Sequence, residues 1–505
     1  MKQINRILSL MMALMLLVSL AVPVMAEGND EPGTVTIPTE GEHSITINNA
    51  ANGHTYEAYM IFYGEHHVIT SESDPILTDL VWGSGVSAYD GAAVEAGTPA
   101  GSVAGTLNDS NVVAFSKKLT LSDPVKRVEA ANGVCVFEEM PSGYYLVKDK
   151  DDSIKNTAHD AYTNYIIQVV GNAQASLKVN VPTLEKSVQD INDSTQNPAK
   201  PETHKPNADH DIGDDVPFHI HINIGSNVED YPSYEMVVTD IMSKGLTFNE
   251  ESVEISTDLK TFVKDKDYTI NVSGANENGD VTITFAFPNL ITSGITNLDT
   301  IEINYTAELN DNAVIGNPGN PNKAYMTYSN NPNKADSYGT TPESKVVIFT
   351  YQLTLNKVDG NDEPLNGATF KLSKYLHGNE WDPIETIEGT DKSVFEFKGL
   401  DDGTYRIEEV EAPAGYNAIK PITFTIEANH DSGTVENLTA TAQGGSGTLF
   451  GQNSGTFEAD VVNEMGATLP TTGGMGTTIL YVVGAALVLV AVVMLVTKKR
   501  VADAE

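Results

Sequence analysis

Short runs of β-branched and aromatic residues alternate with polar residues over most of the chain, as in Thr34–Ile37, Ser44–Ile47, Gly143–Val147 and Tyr165–Val169. Clusters of Gly, Asn, Asp and Pro separate these runs, and the sequence shows no long amphipathic helical pattern. Successive side chains of a strand point to opposite faces, so such runs predict strands with one buried face. The chain is therefore predicted to be all-β and built of tandem Ig-like β-sandwich domains.

The pattern divides the chain into three predicted β domains, residues 27–181, 182–347 and 348–465. The length of the chain also suggests about three domains. Two stretches are predicted to be loops. Residues 83–110 are rich in Gly, Ala and Ser, while residues 192–215 carry three prolines and few apolar side chains, which predicts a long surface loop.

Residues 1–26 have the pattern of a secretory signal peptide. Lys2 and Arg6 precede the apolar run Ile7–Leu20, and small residues lead up to Ala26. The apolar run is too short for a membrane span of about 20 residues. We therefore expect cleavage after Ala26 and export of the chain.

The C-terminal residues 466–505 combine three features in a fixed order. They are the pentapeptide Leu469, Pro470, Thr471, Thr472 and Gly473, the apolar segment 479–496, and the basic residues Lys498, Lys499 and Arg500. The apolar segment predicts a transmembrane helix with a cytoplasmic basic tail. This order resembles the LPXTG cell-wall sorting signal of Gram-positive surface proteins. The resemblance implies that a sortase cleaves after Thr472 and transfers the acyl group to an amine, which anchors the chain to peptidoglycan.

The formal net charge of −39 over 505 residues favours solubility outside the cell and makes nucleic acid an unfavourable partner. Cys135 is the only cysteine, so no disulfide can form within the chain. Exported proteins of this length usually carry some covalent or metal reinforcement. Any covalent reinforcement within this chain must therefore be a cross-link other than a disulfide.

Charged and amide residues continue otherwise apolar strand faces in both the second and the third predicted domains. Alternation places one lysine, one carboxylate and one asparagine of each domain toward the interior. In the second domain these are Lys186, Asp240 and Asn322, and in the third domain they are Lys357, Glu409 and Asn463.

An unpaired buried charge is very costly, and two conventional arrangements avoid that cost. Each lysine can form a buried salt bridge with the carboxylate, or the strand ends can be solvated. A third explanation is self-catalysed chemistry, because burial lowers the pKa of a lysine and raises that of a carboxyl. A neutral amine can then attack the asparagine side chain, ammonia leaves, and a Lys–Asn isopeptide bond ties the first strand of the domain to the last.

Residues 405–416 resemble the E-box of Gram-positive pilins, usually written YxLxETxAPxGY. Tyr405, Glu409 and the segment 412–416 match it, whereas Ile407 and Val410 replace its Leu and Thr. With Lys357 at its start, the third predicted domain resembles a collagen-adhesin B-type Ig-like domain.

The second predicted domain resembles the isopeptide-forming middle domain of sortase-assembled Gram-positive backbone pilins. Three segments carry this likeness, Pro182–Lys186, Thr239–Leu246 and Asn322–Pro332. The resemblance implies two intradomain isopeptide bonds. They are Lys186–Asn322, assisted by Asp240, and Lys357–Asn463, assisted by Glu409.

The same resemblance implies a lysine near the end of the first domain that attacks the sortase acyl-enzyme of another subunit. The family's Tyr-Pro-Lys tripeptide is missing here, and Lys178 is the best candidate. Strand alternation places Lys178 on the polar face of residues 173–181. An ordinary surface lysine is the alternative, and Lys200 and Lys205 are weaker rivals.

No metal site or cofactor is expected from the sequence. His219 and His221 share a strand face but lack a further ligand of convincing spacing. Asp359, Asp362 and Glu363 lack the spacing of an EF-hand loop. The sequence also lacks a phosphate-binding loop and a nucleophile elbow, so we expect no enzyme acting on an external substrate.

These observations predict a structural subunit of a covalent cell-surface pilus (fimbria), anchored in the cell wall. Sortase would join Thr472 of one subunit to Lys178 of the next, so the expected partners are sortase, identical subunits and peptidoglycan. The alternative is a monomeric wall-anchored adhesin that binds a host or matrix ligand.

Overall fold

The computed structural model describes residues 34–67, 76–107, 111–154, 162, 164–176, 181–195, 204–225, 228–297, 299–332, 334–378, 380–442, 448–451, 455–466 and seven scattered positions between 483 and 494. Strands dominate this part of the chain and its helices are short. The strands form several sheets that pack as sandwiches. The prediction of an all-β protein is therefore confirmed.

The N-terminal strands form three small sheets. The elements are β1 (His43–Asn48), β2 (Thr55–His67), β3 (Ile76–Trp82), β4 (Val86–Tyr89), β5 (Ala92–Ala93), α1 (Gly101–Ala104), α2 (Val112–Ser116), β6 (Leu119–Leu121), β7 (Lys126–Glu129), β8 (Val134–Met140), β9 (Gly143–Asp149), β10 (Asn164–Val169) and β11 (Ala173–Ser176). The sheet orders are β11-β1-β8, β10-β9-β2-β3 with β7 beside β2, and β5-β4-β6. The prediction that residues 83–110 are all loop is wrong, because β4, β5 and α1 lie there.

The middle strands form two facing sheets around one apolar core. The elements are β12 (Thr183–Val188), β13 (Asn207–Asp209), β14 (Asp215–Asn223), a 3-10 turn (Val228–Asp230), β15 (Met236–Met242), β16 (Leu246–Ser256), β17 (Thr269–Val272), β18 (Val281–Phe287), β19 (Thr300–Leu309), β20 (Asn320–Ser329), β21 (Tyr338–Thr340) and β22 (Ser344–Phe349). One sheet has the order β12-β14-β19-β16. The other has the order β13-β22-β20-β15-β18-β17, with β21 beside β20.

The C-terminal strands form one nine-stranded sheet that folds around its own core. The strands are β23 (Tyr351–Asp359), β24 (Ala368–Leu376), β25 (Glu380–Gly389), β26 (Val394–Leu400), β27 (Gly403–Glu411), β28 (Ile422–Asn429), β29 (Glu436–Ala442), β30 (Thr448–Gly451) and β31 (Thr456–Asn463). Their order is β25-β24-β27-β28-β29-β30-β31-β23-β26. The first and last of these strands, β23 and β31, pair in parallel.

Strand β22 contributes side chains to two cores. Val346 and Ile348 pack in the middle core, while Val347 and Phe349 pack in the C-terminal core. Strand alternation explains this division, because neighbouring residues point to opposite faces. The predicted boundary at residue 347 therefore falls within a strand that both cores share.

The prediction that residues 192–215 form a surface loop is wrong for the residues described there. Asn207–Asp209 form β13, which pairs in parallel with β22, and Asp209 is fully buried. The backbone amide of Ile212 donates to the carbonyl of Gly399, 3.0 Å away in the C-terminal domain. The side chains of Asp209 and Asp211 face the C-terminal domain rather than solvent, which composition alone does not reveal.

Several predicted features lie outside the described residues. They are the signal peptide, Lys178, Lys200 and the pentapeptide Leu469–Gly473. Within the predicted span 479–496, the seven described positions are helical and exposed. No helix among the described residues has the length and apolar character needed to cross a membrane. The export, anchoring and polymerisation signals therefore stay predictions.

Candidate functional site

The middle domain brings Lys186, Asp240 and Asn322 together between its two sheets. Lys186 lies on β12 of one sheet, while Asp240 and Asn322 lie on the neighbouring strands β15 and β20 of the other. All three side chains are buried, with 3% of Lys186 and none of Asp240 or Asn322 exposed. Asn322 is not on the last strand of this domain, because β21 and β22 follow it. A bond between Lys186 and Asn322 would therefore tie the two sheets together.

A hydroxyl group that the sequence reasoning missed joins these three residues. Nζ of Lys186 donates to Oδ2 of Asp240 and to the Tyr305 hydroxyl oxygen, both at 2.5 Å. The Tyr305 hydroxyl donates to the same Asp240 oxygen at 2.6 Å, and Nδ2 of Asn322 donates to the Tyr305 oxygen at 3.0 Å. Tyr305 thus holds the amine, the carboxylate and the amide around one oxygen atom.

Burial controls the electrostatics of this group. It lowers the pKa of Lys186, and this effect outweighs the attraction of Asp240. Burial and the neighbouring Asp240 raise the pKa of Tyr305 well above its ordinary value, so its hydroxyl stays a proton donor. The rings of Phe218 and Tyr305 lie 5.2 and 5.0 Å from Nζ of Lys186 and help to exclude water from it.

Two oxygen atoms of the group lack hydrogen-bond partners among the described residues. They are Oδ1 of Asp240 and Oδ1 of Asn322. A buried polar atom without a partner is costly, so the group is not satisfied as a set of unreacted side chains. The ion pair of Lys186 and Asp240 is the buried salt bridge of the conventional alternative, but it leaves these two oxygens unpaired.

The C-terminal domain holds a second group with the same residue types apart from its carboxylate. Lys357 on β23 is the register partner of Val461 on β31, so Asn463 is its diagonal neighbour on the adjacent parallel strand. Nδ2 of Asn463 donates to Oε1 of Glu409 at 2.8 Å, and the backbone amide of Ile419 donates to Oε2 at 2.8 Å. Lys357 and Asn463 have no exposed surface, and 8% of Glu409 is exposed.

The Lys357 amine contacts only backbone oxygens among the described residues. Its Nζ donates to the carbonyls of Val358 at 2.7 Å and Val461 at 3.0 Å. Burial lowers the pKa of Lys357, against the opposing effects of Glu409 and Asp359. Oδ1 of Asn463 has no partner among the described residues. The group therefore places a buried lysine of lowered pKa beside an asparagine whose amide is held by a carboxylate.

Lys374 provides a contrast, because it is also buried but surrounded by acids. Its Nζ lies 2.6 Å from Asp211, 2.7 Å from Asp401 and 3.0 Å from Asp193. Burial alone would lower the pKa of Lys374, but these three carboxylates raise it well above the ordinary value. Lys374 is therefore a permanent cation, and through Asp193 and Asp211 it joins the middle domain to the C-terminal domain.

The remaining described residues considered as an acceptor lysine or as metal ligands pair with neighbouring groups. Lys205, a rival for the polymerising lysine, pairs with Asp190 at 2.8 Å. His219 and His221 share the carboxylate of Glu302, at 2.7 and 2.8 Å, so the two histidines have a partner that the sequence reasoning missed. The carboxylate of Asp359 accepts the backbone amides of Asn361 and Glu363, as in a tight turn.

Comparisons with known proteins agree with these two domains. Residues 212–332 match the family model described as Gram-positive pilin backbone subunit 2, Cna-B-like domain. Residues 351–440 match the model described as a prealbumin-like fold domain. The first match includes Asp240, Tyr305 and Asn322, and the second includes Lys357 and Glu409. Neither model describes an enzyme.

The chain is 27% identical over 297 residues to the trypsin-resistant surface T6 protein of Streptococcus pyogenes serotype M6. This match spans 55% of the chain and 50% of that protein, about half the length of the relative.

Two pilin structures are among the solved structures that match the chain. The T6 backbone pilin of S. pyogenes, described as a modular three-domain structure, has a TM-score of 0.53 at 18% identity and covers 86% of this chain and 100% of its own. The major pilin SpaD of Corynebacterium diphtheriae has a TM-score of 0.49 at 17% identity and covers 85% of this chain and 99% of its own. The chain thus carries a Gram-positive pilin backbone domain followed by a prealbumin-like domain, and it is a homologue of the trypsin-resistant surface T6 protein of S. pyogenes.

Proposed function

We propose that the chain is the structural subunit of a covalent pilus on the surface of a Gram-positive bacterium. The observation that carries this proposal is the buried Lys186, Asp240 and Asn322 group, most of which lies within the matched pilin backbone domain. Homology to a trypsin-resistant surface protein of S. pyogenes supports it. The chain acts as a substrate of sortase and as a mechanical element, and it does not turn over an external substrate.

The middle and C-terminal domains each close their own cross-link. The neutral amine of Lys186 attacks Cγ of Asn322, the new C–N bond replaces the bond to the side-chain nitrogen, and ammonia leaves. Asp240 accepts the proton from the amine and returns it to the leaving nitrogen, and the Tyr305 hydroxyl keeps both groups in place. Lys357, Glu409 and Asn463 react in the same way. Burial and fixed proximity supply the rate acceleration.

Sortase then joins the subunits. It cleaves between Thr472 and Gly473 and transfers the acyl group to a lysine of the next subunit, for which Lys178 is the proposed acceptor. Peptidoglycan anchors the end of the finished polymer. A shaft built in this way is covalent from subunit to subunit, and the middle and C-terminal domains of each subunit are crossed by an isopeptide bond instead of a disulfide.

A ladder of covalent multimers tests the polymer. Cells that express the chain with its sortase should yield SDS-resistant multimers, and Lys178→Arg should leave only monomer. Lys205→Arg is the matched control and should keep the ladder, because Lys205 already pairs with Asp190. A single monomeric band from the parent chain would contradict the proposal and favour a monomeric wall-anchored adhesin. A ladder that persists in Lys178→Arg but disappears in Lys205→Arg would reassign the acceptor lysine.

A further inference from the structure

Three metal-ligating side chains meet where the middle domain contacts the C-terminal domain. Asp190 and Asp209 belong to the segment that the sequence predicted to be a surface loop and its flank, and His430 follows β28. One ligand atom of each residue lies within 4.8 Å of the other two. Nε2 of His430 lies 3.6 Å from Oδ2 of Asp190, and Nδ1 of His430 lies 3.9 Å from Oδ2 of Asp209. The group therefore draws ligands from both domains.

The atoms at the centre of this group are buried and lack partners. Asp209 has no exposed surface, and neither of its carboxylate oxygens makes a hydrogen bond to any described residue. Nδ1 of His430 also makes no hydrogen bond to any described residue, and only 6% of this histidine is exposed. The Tyr351 hydroxyl faces Asp209 without reaching hydrogen-bond geometry. A buried carboxylate is stable only when it is paired or binds a metal. The long contact of 3.9 Å with His430 leaves both oxygens of Asp209 without a hydrogen bond.

The surrounding charge favours a cation. The carboxyl groups of Asp402 and Asp190 both lie close enough to Asp209 to interact with it electrostatically. Lys205, a lysine at the edge of the group, already pairs with Asp190 at 2.8 Å. Lys374 is occupied by its own set of three aspartates. Among the described residues the group therefore has more carboxylates than basic side chains to balance them.

We propose that Asp190, Asp209 and His430 bind a divalent transition-metal ion that braces the middle domain against the C-terminal domain. The ion is held by the atoms without partners, Nδ1 of His430 and the Asp209 carboxylate, and by one oxygen of Asp190. A set of one imidazole and two carboxylates suits Zn²⁺ or Mn²⁺, whereas Ca²⁺ prefers oxygen ligands alone. Water completes the coordination.

The spacing of the ligands suits such an ion. Zn²⁺ binds nitrogen and oxygen at about 2.0–2.2 Å, so the ligands of one ion lie about 3–3.5 Å apart. The distance of 3.9 Å between Nδ1 and Asp209 has to shorten by only about 0.5 Å to reach that range. A bound ion would fix the orientation of two successive domains beside the ion pairs of Lys374.

Titration calorimetry of the purified chain tests the site after treatment with EDTA. ZnCl2 and MnCl2 should each bind with one equivalent that requires this group, and CaCl2 should bind at least tenfold more weakly. Asp209→Asn and His430→Gln should both remove this equivalent. The matched controls Asp258→Asn and His377→Gln, whose side chains are exposed, should retain it. Zn²⁺ should also raise the thermal unfolding midpoint of the parent chain but of neither site variant.

Four results would overturn the proposal. The first two are a parent that binds neither Zn²⁺ nor Mn²⁺, and an Asp209→Asn variant that binds them as the parent does. The third is loss of binding only in Glu302→Gln, which would place the metal at His219 and His221. The fourth is a parent whose unfolding midpoint rises at low pH through His430 but does not change when metal is added. Circular dichroism in EDTA separates binding from folding. Asp209→Asn should be at least as stable as the parent there, because it removes an unpaired buried charge.

Discussion

Replacement of Glu409 by Gln tests the proposed cross-link of the C-terminal domain most directly. Gln has nearly the same size and can still hydrogen-bond to Asn463, but it cannot accept the proton of the attacking amine. The variant should therefore fold with Lys357 and Asn463 as separate side chains. Glu411→Gln is the matched control, because Glu411 lies two residues further along β27 and is exposed.

The loss of stability follows from the length of chain that the bond closes. Lys357 and Asn463 enclose a loop of about 100 residues, for which the chain-entropy treatment of a cross-link gives about 4.7 kcal/mol. A domain of this size loses about 4 °C in unfolding midpoint per kcal/mol, so we expect the midpoint of this domain to fall by about 20 °C. The freed Lys357 amine stays buried, which adds to the loss.

Intact mass detects the isopeptide bond, and calorimetry measures how much the bond stabilises the domain. Each isopeptide bond removes one ammonia, about 17 Da, so the purified parent should be about 34 Da lighter than its sequence and Glu409→Gln about 17 Da lighter. Peptide mapping should find the β23 and β31 peptides linked only in the parent and in Glu411→Gln. A parent of full sequence mass would refute the cross-link. A variant that loses the bond but unfolds within a few degrees of the parent would refute the expected fall in the unfolding midpoint.

Four further predictions concern buried groups. Asp240→Asn should remove the other loss of about 17 Da by intact mass, because no carboxylate then accepts the proton from the attacking amine of the middle domain. Tyr305→Phe should slow that loss in a time course after synthesis, since it removes the oxygen that gathers the reacting groups. Cys135 should resist iodoacetamide at pH 8 until denaturant is added, because burial and the nearby Asp149 raise its thiol pKa to about 12. Lys374→Met should destabilise the chain by about 3–5 kcal/mol in denaturant unfolding, because it leaves buried carboxylates without their cation.

Strand alternation correctly predicted the burial of five charged or amide residues. Lys186, Asp240, Lys357, Glu409 and Asn463 each continue an apolar face, and all five are buried. The rule works here because every one of these strands has a dry face against a core. It predicts burial and not chemistry, so the isopeptide bonds themselves stay a prediction.

The features that the sequence did not reveal depend on contacts between distant segments. Tyr305 continues an apolar face of β19 that holds Ile301 and Ile303, so it reads as an ordinary core aromatic until Lys186 and Asn322 are placed beside its hydroxyl. Asp209 lies in a stretch whose polar composition indicates exposure. Its neighbours across the domain contact are more than 100 residues away in the chain, and no local pattern indicates them.

Three of the buried lysines, Lys186, Lys357 and Lys374, show why burial alone does not create a reactive amine. Lys186 faces one carboxylate and Lys357 interacts with Glu409 at a distance, so in both cases burial dominates and the pKa falls. Lys374 is nearly as buried, yet three aspartates within 3.0 Å reverse the direction of the shift. A protonated amine has no lone pair with which to attack, so Lys374 stays an ion pair although carboxyl groups lie in direct contact with it. The number of neighbouring carboxylates therefore separates a lysine suited to form a covalent bond from one suited only to hold two segments together by charge.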